Sequence, residues 1–197
     1  MNKRKCVATL KFAAMVAAVI LLIFTAVFFA GRGILRTLYP LDYIETVDQY
    51  AEEYSVPRVL LFAVIHTESG FQPDAVSSAG AMGLTQITPE TFHWLQTKTG
   101  ETLPDEALFA PETAIRYWAL FYSLLLTEFD NDWFTAVAAY HAGRGQVNIW
   151  LSNPEYSADG KTLTTIPSKD TNHYVHKVFR AVEVYYNLYE KEFSDNV

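Results

Sequence analysis

The side chains with chemical potential fall in three short runs. The first is Glu68-Ser69-Gly70-Phe71-Gln72-Pro73, which follows a nearly continuous apolar stretch at residues 59–65. If that stretch is a helix, Glu68 sits at its C-terminus, where the helix carries partial negative charge, and the apolar surround desolvates the carboxylate. Both effects raise its pKa. A glutamic acid that stays protonated near neutral pH can give a proton to a glycosidic oxygen. The competing reading is a Glu that simply faces water, the usual fate of that residue type. The second run, residues 77–89, contains Ser77, Ser78, Gly80, Gly83 and Gln86. Its small residues let backbone approach a ligand closely, and Gln86 offers an amide to a sugar hydroxyl or acetamido group; an ordinary turn has the same composition. The third is Ala138-Ala139-Tyr140-His141-Ala142-Gly143-Arg144-Gly145, with Val147 and Trp150 beyond it. Tyr140 stands where a helix meets a glycine break, with its hydroxyl either directed into a cleft or satisfied in a core.

These runs need elements to position them. Tyr43, Ile44, Val47, Tyr50, Ala51 and Tyr54 recur at spacings of three and four, a helical pattern. Pro57 opens the next helix, read through Ser69, with Ser55 available as its cap and Glu68 near its C-terminal end. Residues 70–83 read as a loop. Thr88-Pro89 starts another helix, Pro111 a long aromatic-rich one, and Asp132 caps one that ends at Gly143 and Gly145. A short helix with Val147 and Trp150 follows, then a polar loop at 152–167 with a short extended piece at 162–166. A last helix at about 171–192 places Val175, Val178, Phe179, Val182, Tyr185, Tyr186 and Tyr189 on its inner side. No strand alternation of any length appears, so the expectation is an all-α domain of about seven helices.

In this order the three runs resemble the lytic transglycosylases of the soluble, Slt-like type, which share their fold with goose-type lysozyme. That family's Glu-Ser, Gly-Leu-Met-Gln, Ala-Tyr-Asn-Ala-Gly and late Ile-Pro, Glu-Thr and Tyr-Val are met here by Glu68-Ser69, Gly83-Leu84-Thr85-Gln86, Ala139-Tyr140-His141-Ala142-Gly143, Ile166-Pro167, Asp170-Thr171 and Tyr174-Val175. Three positions depart from the pattern: Thr85, His141 and Asp170. The first two are expected at the cleft wall. The resemblance implies a lysozyme-like helical fold and cleavage of the bond between N-acetylmuramic acid and N-acetylglucosamine in peptidoglycan, leaving 1,6-anhydromuramyl ends. Glu68 would act as acid and then as base, with Tyr140 orienting it. Ser69, Ser78, Gly83, Gln86, His141 and Tyr174 would contact the saccharide or the acid. A hydrolytic lysozyme on the same fold, or a membrane-tethered glycan-binding protein without activity, are the alternatives.

Residues 12–30 carry no charge, and a span needs about 20 apolar residues. Lys3, Arg4 and Lys5 precede it, so the positive-inside rule puts the N-terminus in the cytoplasm and the body outside. A cleaved signal peptide has a shorter apolar region and a small-residue cleavage site; this run ends in Phe28-Phe29-Ala30-Gly31, which favours an anchor. The expected division is a cytoplasmic N-terminus at 1–11, a transmembrane anchor at 12–30, a linker at 31–41 and a catalytic domain at 42–197. From residue 37 onward there are 9 basic and 22 acidic residues, a net of −13. That balance argues against nucleic acid as a partner, because phosphate binding needs clustered Lys and Arg. Cys6 is the single cysteine, so neither an intramolecular disulfide nor a cysteine metal site is expected. His173 and His176, at i and i+3, read as polar helix residues rather than metal ligands, and Asp130-Asn131-Asp132 as a capped turn. No metal and no cofactor are expected.

Overall fold

The computed structural model describes residues 3–194, with side chains described for 11–12 and 14–193; the Cys6 side chain lies outside that set. The chain divides into two compact units, Met1–Pro40 and Leu41–Val197.

The first unit is a single helix, α1 (Lys3–Leu38). Its segment Ala14–Leu38 is long and apolar enough to cross a membrane by length and composition. The side chains of Leu22, Phe24 and Phe29 stand out from it, each more than two-thirds exposed. Residues 31–38, expected as a linker, continue the helix. Gly31 and Gly33 lower helix propensity without stopping it, Arg32 covers the Phe28 ring at 5.9 Å, and the ladder closes with Tyr39 N–H donating to Leu35 at 2.8 Å. The helix stops just before Pro40, whose ring disfavours helical geometry in the residue before it.

The second unit is helical throughout: α2 (Ile44–Glu53), α3 (Arg58–Glu68), α4 (Pro89–Thr99), α5 (Pro111–Glu128), α6 (Trp133–Ala142), α7 (Arg144–Leu151) and α8 (Lys169–Ser194), with a 3-10 turn at Asp105–Phe109 that the sequence pattern did not foretell. Helix α3 is the centre. Every residue from Val59 to Ile65 is buried, as an apolar run without an exposed stripe requires. Its longest partner is α8, which lays Tyr185 against Phe62 at 5.7 Å between ring centroids and buries Val175 and Val178 beside it. Helix α5 supplies the other aromatic layer, with Trp118 stacked on Tyr122 at 4.7 Å.

The helix boundaries follow their capping chemistry, with two corrections. Thr88 accepts from Thr91 N–H at the start of α4. Asp132 accepts from Thr135 N–H at 2.7 Å at the start of α6, after Asp130 and Asn131 take positive φ in the turn before it. Ser55 does not cap α3: it lies in the left-handed region, at φ 54°, and Pro57 occupies the cap position without a side-chain bond. Gly145 does not break the chain either. The turn is made at Gly143, φ 87°, and Gly145 lies inside α7. Residues 162–166 form no strand. They wrap around Asp159, whose carboxylate accepts from the N–H groups of Lys161 and Thr162 at 2.8 Å each, and Leu163 N–H is tied to Thr135 Oγ1 at 2.8 Å.

The loop between α3 and α4 closes on itself. Ser77 N–H donates to Ala81, Met82 N–H to Ile87 and Gly83 N–H to Ala75, each at 2.9 Å. Gly83 has φ +76°, and a Cβ there would lie 2.0 Å from the Leu108 carbonyl oxygen. It is a packing glycine, buried against the 3-10 turn, which corrects its expected place on the saccharide surface. Gly83→Ala should therefore destabilise the domain by about 2–4 kcal/mol, from backbone strain and overpacking together. The check is a lowered urea midpoint at unchanged m.

Candidate active site

Glu68 is the last residue of α3, and its side chain is largely enclosed between α3, α6 and α8. Burial pushes its carboxyl up to about 7, against a hydrogen bond from Tyr174 and the charge of Lys177, which both act downward. The Tyr174 hydroxyl donates to Glu68 Oε1 at 2.6 Å. Tyr174 comes from α8 and is only 8% exposed. Burial and the neighbouring carboxylate hold its phenol well above the ordinary range, so it remains a proton donor to Glu68.

Tyr140, expected to orient the acid, has a different partner. Its hydroxyl donates to the Thr85 carbonyl at 2.5 Å. It thus pins the floor of the loop to α6, while its buried phenol still feels the Glu68 charge. Thr85, expected at the cleft wall, is fully buried; its hydroxyl donates to the Ala114 carbonyl at 3.2 Å, which turns the side chain toward α5. Ser69 is another fastener. Its hydroxyl lies 2.8 Å from the Leu84 carbonyl oxygen and 3.3 Å from that of Ile65, so it ties the end of α3 to the loop. The Gln86 amide nitrogen donates inside the loop, to Gly83 at 2.9 Å and Ala75 at 3.1 Å. Ser78 is exposed on the loop surface.

His141 is exposed and stacks on Tyr174, with ring centroids 4.4 Å apart. Its Nδ1 lies 3.2 Å from Thr171 Oγ1. Burial lowers its pKa, with Asp170 acting the other way, so the neutral ring is favoured as a flat wall beside the acid. The structure thus gathers Glu68, Ser69, Tyr140, His141 and Tyr174 around one point. The residue that the motifs missed is Lys177, whose ammonium donates to the Thr67 carbonyl at 3.0 Å. The signal was present: Lys177 follows Tyr174 by three residues and shares its helix face. Among the described residues, no group of three His, Cys, Asp or Glu side chains is placed to hold a metal ion.

Residues 45–162 match the family model for the transglycosylase SLT domain. The chain belongs to the transglycosylase SLT-domain family. It is 31% identical over 159 residues to the soluble lytic murein transglycosylase of Escherichia coli K12, covering 79% of this chain and 24% of that protein. It is 31% identical over 166 residues to membrane-bound lytic murein transglycosylase C of Shigella sonnei, covering 73% of this chain and 46% of that one. The chain thus spans about a quarter of the soluble relatives it matches, and about half of the membrane-bound one. Its fold is similar to that of an inactive mutant of the lytic transglycosylase Slt from Pseudomonas aeruginosa, with a TM-score of 0.69 and 28% identity over 78% of this chain and 25% of that chain. The family match takes in Glu68, the 70–88 loop and Tyr140, and stops before α8, which brings Tyr174 and Lys177.

The raised carboxyl carries a stability signature. Its folded pKa lies above the ordinary 4.5, so the folded chain holds an extra proton between 4.5 and about 7. The corresponding stability is full below the lower value and is lost as pH rises through the upper one. Glu68→Gln does not titrate. It should therefore gain stability over the wild type as pH rises through this window, by up to about 3 kcal/mol. Urea unfolding of both chains at either end of the window measures the difference; parallel pH dependences would show that the carboxyl is not perturbed.

Proposed function

We propose that this protein is a peptidoglycan lytic transglycosylase that cleaves the β-1,4 bond between N-acetylmuramic acid and N-acetylglucosamine, with Glu68 as its single acid and base. The observation that carries this reading is the state of that one carboxyl group: enclosed at the end of an apolar helix, poised near neutrality and held by a buried phenol. Among the described residues, no second carboxylate is among the groups acting on Glu68. Most glycosidases that use water or an enzyme nucleophile place two carboxyl groups about the bond. One suffices if the substrate supplies the nucleophile. The names of the relatives, lytic murein transglycosylases in Escherichia coli and Shigella sonnei, support the same reaction class.

In the first step the Glu68 carboxylic acid gives its proton to the glycosidic oxygen. The bond from that oxygen to muramyl C1 breaks, and N-acetylglucosamine leaves with its hydroxyl restored. The electron-poor C1 is stabilised by the substrate's own acetamido oxygen. Glu68, now a carboxylate, then takes the proton from the muramyl C6 hydroxyl as O6 closes on C1. The product is a 1,6-anhydro ring, and Glu68 is again protonated. Tyr174 holds the carboxyl in both states, Tyr140 and Ser69 hold the loop that forms the floor, and the His141 ring and Gln86 carbonyl oxygen face the sugar. Ser78 lies farther out on the same loop, within the stretch that a longer glycan would pass. We assign α1 as a membrane anchor, with Lys3, Arg4 and Lys5 on the cytoplasmic side and the helical domain outside.

Purified protein acting on sacculi should release muropeptides about 18 Da lighter than their hydrated counterparts, one water per cleavage. Hydrated ends alone would instead identify a hydrolase, and no release at all a binding protein. Glu68→Gln should reduce release by about a thousandfold or more, since it removes the proposed carboxyl proton donor; near wild-type rates would exclude Glu68 as the acid. Because the starting form is the protonated acid, activity should fall as pH rises through about 7, a limb read directly from the pH–rate profile.

A further inference from the structure

Tyr174 and Lys177 stand one turn apart on α8 and bond two successive residues of α3, Glu68 and Thr67. Tyr174 takes the carboxyl, at Oε1. Lys177 takes the backbone, at the Thr67 carbonyl, which belongs to the peptide unit that carries the Glu68 nitrogen. That carbonyl lies in the last turn of α3, where the helix ladder leaves oxygens without partners. Cations are favoured there because they offset the helix's negative end. Lys177 itself is exposed.

We infer that Lys177 is a positioning residue of the reaction: it clamps the Thr67–Glu68 peptide and supplies the positive charge that makes the Glu68 carboxylate attainable between the two proton transfers. This inference rests on the transglycosylase reading above. A single carboxyl that must be acid and then base has to pass through its charged form within every turnover. Enclosure opposes that form. Tyr174 offsets the opposition with a hydrogen bond and Lys177 with a charge, and both act on Glu68 in the same direction. The other titratable groups nearby do not replace the amine. Tyr140, from α6, is held neutral by burial. On α3, burial favours the neutral form of His66, and the Lys177 charge acts the same way. His141, from α6, leans against Tyr174 with its neutral ring favoured by burial, and Asp170 acts on His141. An amine that only capped the helix would leave the Glu68 titration in place when removed; one that sets the field moves that titration, and a second cation moves it back.

The experiment is the pH–rate profile of glycan cleavage by the full chain carrying Lys177→Met or Lys177→Arg, beside a carbon-NMR titration of the Glu68 carboxyl in each. Lys177→Met should move the alkaline limb and the Glu68 titration upward together, by roughly 0.5–1 pH unit. It should also lower kcat at acidic pH by roughly 3–10-fold, because a weaker acid donates its proton more slowly. KM should stay near the wild-type value. Lys177→Arg should restore the limb. Raising ionic strength to about 0.5 M should move the wild-type limb toward that of Lys177→Met and leave the variant in place, because the amine is solvent-facing. If Lys177→Met proves inactive, the NMR titration still reads the shift. A limb and a titration that coincide with the wild type, or a shift that Lys177→Arg fails to restore, would overturn the inference. The two readings fail separately. Hydrated products would end the transglycosylase assignment even if the titration moves, whereas anhydro products with an unmoved titration would end only the role of Lys177.

Discussion

The enclosure of one carboxyl group at the C-terminus of an apolar helix governs this protein. Two forces act against a charge there: the low polarizability of the surroundings and the partial negative charge of the helix end. The fold answers with a phenol at 2.6 Å and an amine on the adjacent peptide, both from α8. The balance leaves Glu68 near neutrality, at about 7, rather than fully suppressed or fully ionised. A group so balanced can both release and recover a proton at physiological pH. It also means that the acid detracts from stability wherever it is ionised, a familiar tension between a site and the fold that holds it.

The scaffold follows from that requirement. A carboxyl is kept from water most readily when the helix that carries it is itself enclosed, and α3 is buried from Val59 to Ile65. Such a helix needs neighbours on every face. Helix α8 provides the longest of these contacts, so the C-terminal part of the chain, more than a hundred residues away in sequence, supplies the groups that control the acid. The loop after α3 is held in place by bonds that span 15 and 55 residues, from Ser69 to Leu84 and from Tyr140 to Thr85. Its substitutions relative to the family pattern make physical sense in that light. Thr85 is an interior residue that bonds α5, while His141 is a surface ring stacked on the tyrosine that holds the acid. The second is therefore the departure that stays on the surface beside the acid.

The domain's charge sets a further condition. With a net of −13 beyond residue 37, a solvent-facing amine beside the acid is a local exception within an acidic body. Exposed charges are screened within about 10 Å at moderate salt, so the sum of distant carboxylates matters less to Glu68 than its immediate neighbours do. The field at the site is thus set by Tyr174 and Lys177 of α8.

Much of this was legible from the residues alone. The apolar run ending in Glu68, the proline and aspartate helix starts, the glycine after Tyr140 and the uncharged stretch at 12–30 are local patterns, and local patterns report periodicity, capping and hydropathy directly. They determined the helix order, the candidate acid and the candidate anchor. The assignments that went astray were those in which the same residue type serves two environments. Gly83 looked like an opening for a ligand and is a close packing contact; Thr85 looked like a wall residue and is interior; Ser55 looked like a cap and is a left-handed turn residue. Which tyrosine grips the acid, and that Lys177 grips its peptide, depended on the docking of α8 against α3. That docking is a long-range packing event. Spacing along the chain can place two side chains on one face of a helix, but which distant group that face meets is decided only when the helices pack.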